Sequence, residues 1–345
     1  MANRETIRGT GAASVRRGIA AVLAGLLCAS AAQAQSAGSD ASSDAQDALR
    51  DALLAVPNRS TPVPDSNQYA TAPGVEQAAP SLRLNANILA PLYFNSNAPA
   101  LGSGGSSSLE GTPVVLGSVS MPAFEQHLRL SAAVSAETDR YASARADFDK
   151  LRINVRAQYT NPTDDQALLP FLAYVPRLDF TPTFAREFAT RQDVNLGINK
   201  TFNYAADFTR VPIGGNSAAD AVWSFGVSAL VQHRFREPPP ASNAVGVYPS
   251  ASYSVSPQWG FLATVGMTQR WFDQIGGFSQ RSFLLEPAGT LEYVMPDAWF
   301  GGNAALFGRP ALDLQVAFER NWSNLSPFTA SVWFVGFAFK FGWRS

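Results

Sequence analysis

From residue 81 onward the chain is written in windows where apolar and polar residues alternate one by one. In "SLRLNANILAPLYF" Leu82, Leu84, Ala86, Ile88, Ala90, Leu92 and Phe94 form one set, and Arg83, Asn85 and Asn87 belong to the other. In "QHLRLSAAVSAETD" Leu128, Leu130, Ala132, Val134 and Ala136 alternate with Arg129, Ser131, Ser135 and Glu137. "KLRINVRAQYTN", "DVNLGINKTF", "WSFGVSALVQHRF", "WGFLATVGMTQRW" and "LDLQVAFE" repeat the pattern. A period of two places successive side chains on opposite faces of a strand, so the fold class read here is all-β.

Which face of these strands is dry decides the architecture. The wet faces are built from Arg, Asn, Gln, Ser, Thr, Gly and Glu, and the dry faces run about 9 to 11 residues, the length a tilted strand needs to cross a bilayer. Aromatics gather near the window ends: Tyr93 and Phe94, Tyr159, Phe202 and Tyr204, Trp223, Phe235, Trp259, Trp271, Tyr293 and Trp322. That is the placement of an interfacial belt. Charged residues make up 15% of the chain, against about 25% in soluble domains, and beyond the N-terminal region no apolar run is long enough for a helical span. The dry face therefore points at lipid. A sheet in lipid must close on itself, because no water is present to satisfy an open edge.

The windows predict strands over 82–95, 123–138, 147–160, 167–180, 192–204, 222–236, 243–255, 259–273, 282–295, 310–321 and 328–343. Single-chain bacterial barrels have an even number, so the expectation is a transmembrane antiparallel β-barrel of about 12 strands, with "WFGGNAALFG" at 299–308 as the twelfth. Window 167–180 alternates poorly and contains Pro170 and Pro176. Proline removes a ladder donor, so a bend or bulge is expected there. With both termini periplasmic, the long breaks 96–122 and 205–221 fall outside the cell. The first is rich in Gly and Ser, and is expected to be mobile, to fold into the lumen or to extend the sheet.

Ahead of the alternating region, Arg16 and Arg17 precede "GIAAVLAGLLCASAA", and "AQA" ends at Ala34. A basic start, a short apolar run and an A-x-A site identify residues 1–34 as a secretory signal peptide. Removing it takes away Arg4, Arg8, Arg16, Arg17 and Glu5, so the remainder carries net −4 and no cysteine. It has no disulfide to use and is not basic enough to suggest a nucleic-acid partner. Residues 35–80 contain one short amphipathic stretch near 44–56, a possible partner-binding helix. The Pro- and Ser-rich segment after it has too little apolar surface to order itself, so 35–80 is expected to be a disordered periplasmic lead-in.

The export signal, the dyad repeat and the C-terminal "SVWFVGFAFKFGW" together resemble a Gram-negative outer-membrane β-barrel protein over residues 81–345. Trp333, Val335, Phe337, Phe339, Phe341 and Trp343 share one face of that last window. This is similar to the aromatic-ending strand that barrel-assembly machinery recognises, with the departure that Arg344 and Ser345 follow the final aromatic. The resemblance implies a bilayer and lipopolysaccharide environment, a cell-outer-membrane location, assembly through Trp333–Trp343, and allows a homo-oligomer.

The two histidines are the first candidates for chemistry. Barrel hydrolases place a Ser two residues from a lipid-facing His, whereas here Arg129 follows His127 and Phe235 follows His233. Nucleophilic catalysis is therefore unsupported, and two dispersed histidines without cysteine argue against a transition metal. Loop carboxylates Asp207 and Asp220 are at most a weak calcium signal. No catalytic residue, metal or cofactor is expected. The inward polar set is the better lead: Arg129, Arg152, Arg156, Arg234, Arg270, Glu286, Glu292 and Glu319 are read as pore-lining, accompanied by Arg83, Asn154, Gln158, Asn195, Asn199, Gln232, Asp313 and Gln315. Eight strands leave a filled interior and sixteen a channel, and twelve lies between. The function expected first is a passive, porin-like diffusion channel for small hydrophilic solutes. The alternatives are a filled structural anchor and a barrel serving export or adhesion. A tight β-hairpin turn near 140–146 would set Arg129 opposite Arg156, with Arg152 close by, as an anion-preferring constriction.

Overall fold

The computed structural model describes residues 82–98, 106–124, 127–142, 147–161, 167–211, 222–237, 240–256, 258–273, 279–307, 310–325 and 328–344. The expected signal peptide over 1–34 and the lead-in over 35–80 lie outside them. The strands of the wall are β1 (Arg83–Ala98), β2 in two segments (Ser106–Gly111 and Val114–Ala123), β3 (Leu128–Tyr141), β4 (Phe148–Tyr159) and β5 (Leu169–Phe180). They continue as β6 (Glu187–Tyr204), β7 (Trp223–Glu237), β8 (Ser242–Ser254), β9 (Trp259–Phe272), β10 (Arg281–Val294), β11 (Ala311–Ser323) and β12 (Ala330–Arg344). Each pairs antiparallel with the next in sequence. β12 returns to β1, with registered pairs from Asn85↔Arg344 to Asn95↔Phe334. The result is a closed barrel of twelve antiparallel strands.

Its polarity is inverted relative to a soluble protein. Outward Leu196, Val231 and Val134 are 57%, 50% and 49% exposed, while inward Arg156, Asn195 and Gln315 are 4%, 1% and 1% exposed. On β7 the outward residues run from Trp223 and Phe225 through Val227, Ala229 and Val231 to Phe235. The ten-residue span from Phe225 to Phe235, at ~3.3 Å per residue and a tilt of ~40°, gives an apolar band about 25 Å tall. That matches a bilayer core, so the outward apolar residues are where lipid would hold them.

The twelfth strand is not where the alternation placed it. Residues 106–123 form it, within the stretch expected to be an external loop, and pairs run from Arg83↔Ser120 to Leu89↔Val114 on one side and Val114↔Glu137 to Ala123↔Leu128 on the other. The strand is interrupted at Thr112 and Pro113, where proline has no N–H to give. The ladder is carried over the gap by Thr112 N donating to Pro91 O (3.3 Å) and Thr138 N donating to Pro113 O (3.1 Å). The described residues of the expected window, 299–307, instead belong to a connection with two 3-10 turns, Asp297–Phe300 and Ala304–Phe307. Between them Gly301 and Gly302 have φ of 61° and 79°, a left-handed pair that no strand accommodates. The extra strand also reverses the direction of β3 to β10, and the absence of a strand at 299–308 restores the expected direction for β11 and β12. The connection containing 205–221 opens at the end of β6, on the same end as Arg83 and Arg344, and not at the far end as expected.

The proline-bearing window is a continuous strand. Pro170 and Pro176 sit within one unshifted ladder to β6, and the register shift comes later, between Asp179 and Phe180. Alternation is blurred because inward Phe171, Ala173 and Val175 are apolar too, packing with Leu230 inside the barrel.

Closure depends on one close approach. A Cβ on Gly336 would lie 2.1 Å from Leu92 O and 2.7 Å from Tyr93 Cα, so no side chain fits where β12 meets β1. Gly336→Val is expected to cost about 1–3 kcal/mol or more through overpacking. The measurement is the urea midpoint of the heat-modifiable folded band on gels, and an unchanged midpoint would contradict the tight seam.

Candidate functional site

All eight residues expected to line the pore occupy inward positions: Arg129 on β3, Arg152 and Arg156 on β4, Arg234 on β7, Arg270 on β9, Glu286 and Glu292 on β10, and Glu319 on β11. The pairing expected of the first group is different. Arg129 faces Gln158, and Arg156 faces Ser131. The β3–β4 connection is wider than a tight hairpin, closing at Asp139↔Phe148, which moves the register by two residues. The same faces point inward, but the partners change.

The arginines are brought together across different strands. Arg152 is directly opposite Arg177, Arg177 opposite Arg191, and Arg191 opposite Arg236, a row of four on β4, β5, β6 and β7. Like charges in register destabilise a strand pair. Nearby acids offset this from one step along the strands. Arg177 Nε is 2.6 Å from Asp179 Oδ1, Arg191 Nε is 3.0 Å from Asp193 Oδ2, and Arg234 Nε is 2.9 Å from Asp193 Oδ1. Beside the row Lys150 Nζ sits 2.6 Å from Glu137 Oε1 and 2.7 Å from Asp139 Oδ2. Arg156 is held by Gln158 Oε1 at 2.6 Å and lies over the Phe171 ring, 4.0 Å from its centroid.

In a closed ring of twelve, each strand faces the one six further on, so β4–β7 look across the lumen at β10, β11, β12 and β1. That wall has the opposite sign. Glu292 is directly opposite Asp313. The register between Leu285↔Arg320 and Ala288↔Ala317 sets Glu286 against Glu319. Lys340 Nζ reaches over from β12 to Glu292 Oε2 at 2.5 Å. Asp313, fully buried, has no hydrogen-bond partner for either carboxylate oxygen among the described residues. On the arginine wall the inward acids Asp179 and Asp193 are outnumbered by Lys150, Arg152, Arg156, Arg177, Arg191, Arg234 and Arg236. On the facing wall Glu286, Glu292, Asp313 and Glu319 outnumber Lys340 among the described side chains. The lumen thus has a cationic wall on β4–β7 facing an acidic wall on β10–β1, with mixed charge on the strands between them.

Every contact just named joins side chains on one strand or on strands one or two apart. Tyr93 behaves likewise: it passes over Gly336 and donates from its hydroxyl to Gln315 Oε1 at 2.8 Å. It belongs to a buried apolar patch with Leu89, Val114, Val332 and Phe334.

Several of these residues are hidden from a reading of the sequence. Arg177 and Asp179 lie in the window whose alternation is blurred, and Arg191 lies just ahead of the window starting at 192. Extending the inward parity of Asn195 back to Asp193 and Arg191 is the signal that finds that pair. The histidines remain apart from the lumen. His233 faces outward with Nδ1 2.8 Å from Asn243 Oδ1, and His127 stacks on Tyr159 at the rim. Asp207 accepts from Thr209 N at 2.9 Å, and this bond holds its carboxyl below the usual range. Asp220 lies outside the described residues, and no group of three or more His, Cys, Asp or Glu suited to a metal occurs among those described.

An all-antiparallel closed wall with an apolar outside of bilayer height and a polar, charged inside defines an outer-membrane β-barrel protein. The chain is similar in fold to an outer-membrane channel from Pseudomonas putida F1, with 11% identity and a TM-score of 0.44, over 79% of this chain and 99% of that one. It is similar also to the translocator domain of the autotransporter NalP from Neisseria meningitidis, with 9% identity and a TM-score of 0.38, over 86% and 97%. OmpT, an outer membrane protein of Vibrio cholerae, shows 8% identity and a TM-score of 0.33, over 76% and 99%. No family model and no curated protein matches the chain.

The two walls predict opposite responses to removing an acid. Asp193 is fully buried between two guanidinium groups, and Asp193→Leu is expected to cost about 3–5 kcal/mol, the penalty for stranding a buried charge. Asp313→Asn removes one of two facing carboxylates and is expected to leave stability unchanged or raised. Urea unfolding followed by tryptophan fluorescence in detergent compares them, and equal losses would refute the division.

Proposed function

We propose that this barrel is a narrow passive channel for small hydrophilic solutes, with a preference for anions imposed by the arginine row. The observation that carries the reading is the like-with-like placement of charge. A lumen serving only to fill itself gains most from alternating unlike charges around the wall. Here cations and acids gather on opposite walls, which sets a field across the passage and focuses it between low-dielectric walls. Rings of arginine select anions in pores built from the same elements. No enzyme activity is part of the proposal. The partners proposed are the bilayer with its lipopolysaccharide and the assembly machinery that takes the Trp333–Trp343 face.

A second reading rests on burial. Inward Lys150 is 2% exposed, and Glu110, Glu292 and Glu319 are at most 1% exposed, which favours a filled barrel acting as a structural anchor. Single-channel recording in planar bilayers separates the two. Under the channel reading, wild type conducts and its reversal potential in a KCl gradient is anion-selective, and Arg177→Glu with Arg191→Glu shifts it toward cations. A folded barrel without conductance supports the anchor instead. A conducting barrel whose reversal potential ignores the double substitution removes the arginine row from the pathway.

A further inference from the structure

At the end where Arg83 and Arg344 lie, the described residues of the two long connections rest against the outer face. The one after β6 folds so that the Phe208 ring stacks on Trp223, centroids 5.5 Å apart and 20° from parallel. The one after β10 sends Trp299 against Tyr293 at 5.9 Å, and brings Leu306 O to within 2.7 Å of Trp343 Nε1. Trp223, Tyr293 and Trp343 are all outward residues of the aromatic belt, so both connections lie over the outside of the wall. They then expose what a watery loop would hide: Phe208 at 59%, Trp299 at 65%, Leu306 at 71% and Phe307 at 47%. Phe208 is held there with φ of 61°, a left-handed backbone that is rare for a bulky residue and costs energy. Strain used to present an apolar ring to water has no compensation, whereas strain used to present it to lipid does.

We propose that these two connections, 205–211 and 295–307, are membrane-seated: they rest in the interfacial layer of the leaflet at the Arg83 and Arg344 end and extend the belt of the barrel outward. The occupant of the exposed patch is lipid, because the patch is continuous with the lipid-facing surface through the three contacts above. Aromatic rings favour the headgroup level, where an apolar body and a wet surrounding coexist. The two 3-10 turns, with Gly301 and Gly302 between them, pack together through Phe300 and Phe307, ring centroids 5.6 Å apart. This proposal is independent of whether the lumen conducts.

The test places a spin label at Trp299→Cys or Leu306→Cys in the full chain, after the single cysteine is removed as Cys28→Ser. Trp271→Cys, in the opposite belt, serves as the lipid-facing reference. The labelled barrels are reconstituted in nanodiscs of phosphatidylethanolamine and phosphatidylglycerol, and heat-modifiable mobility confirms folding. Accessibility to oxygen against a water-soluble nickel chelate is expected to match the belt reference at both positions, with a loss of nickel accessibility relative to the same protein in detergent-free denaturant. Water-like accessibility at both would overturn the proposal and leave the patch to a soluble partner. If either variant fails to fold, Phe208→Cys carries the same expectation on the other connection, and a water-like label there overturns the proposal equally.

Discussion

The requirement that every backbone N–H and C=O be paired within lipid governs this molecule. Each group left open in hydrocarbon costs several kcal/mol, so the sheet has no admissible edge and β12 must return to β1. Once the ring is closed with twelve strands, three further features arise without additional choices. The start of β1 and the end of β12 fall on one end. Each side chain is assigned to lumen or lipid by parity alone. Every strand acquires a defined opposite, six places around, and this is what turns a list of inward arginines and glutamates into two facing walls.

Much of this was legible in the sequence, and the misses share a cause. Period-two alternation identifies a strand when its two faces differ, as on β4, where Leu151, Ile153 and Val155 alternate with Arg152, Asn154 and Arg156. It fails where the inner face is also apolar or the outer face is small. β2 has inward Val114 and Leu116 against outward Gly117, and its break at Pro113 shortens each segment. β5 carries inward Phe171, Ala173 and Val175. In both strands the lumen holds an apolar patch, a property of the packed interior that composition along one strand does not announce. The effect of one missed strand is not local, since direction alternates and each connection from β3 to β10 changes ends, until the strand wrongly expected at 299–308 cancels the shift.

The candidate site was legible in part for a related reason. Parity is enough to assign a residue to the lumen, so Arg129, Arg152, Arg156, Arg234, Arg270, Glu286, Glu292 and Glu319 could be found from spacing. Cross-strand partners need register, and register depends on the turn. A shift of two residues keeps every face unchanged while replacing Arg129's expected arginine neighbour with Gln158. The row that does form draws on β5 and β6, whose contributions Arg177 and Arg191 were hidden in or beside the blurred window.

The distribution of charge is then a question of what the wall would look like if stability were the sole demand. Arg177, Arg191 and Arg234 find their acids on their own strand or the next, at Asp179 and Asp193, so local pairing is available to this fold and is used. Glu292 and Asp313 show that it is not used everywhere, since two carboxylates face each other and one lysine serves the first of them. Moving a single basic residue onto β10 or β11 in place of Asp313 would complete that pairing without any change of topology. The acids instead stay together, across the lumen from the arginines. Two facing sheets of opposite sign attract through the lumen only weakly when water fills it, but they orient any polar molecule that enters. The arrangement forgoes a little wall stability and sets a directed field across the lumen.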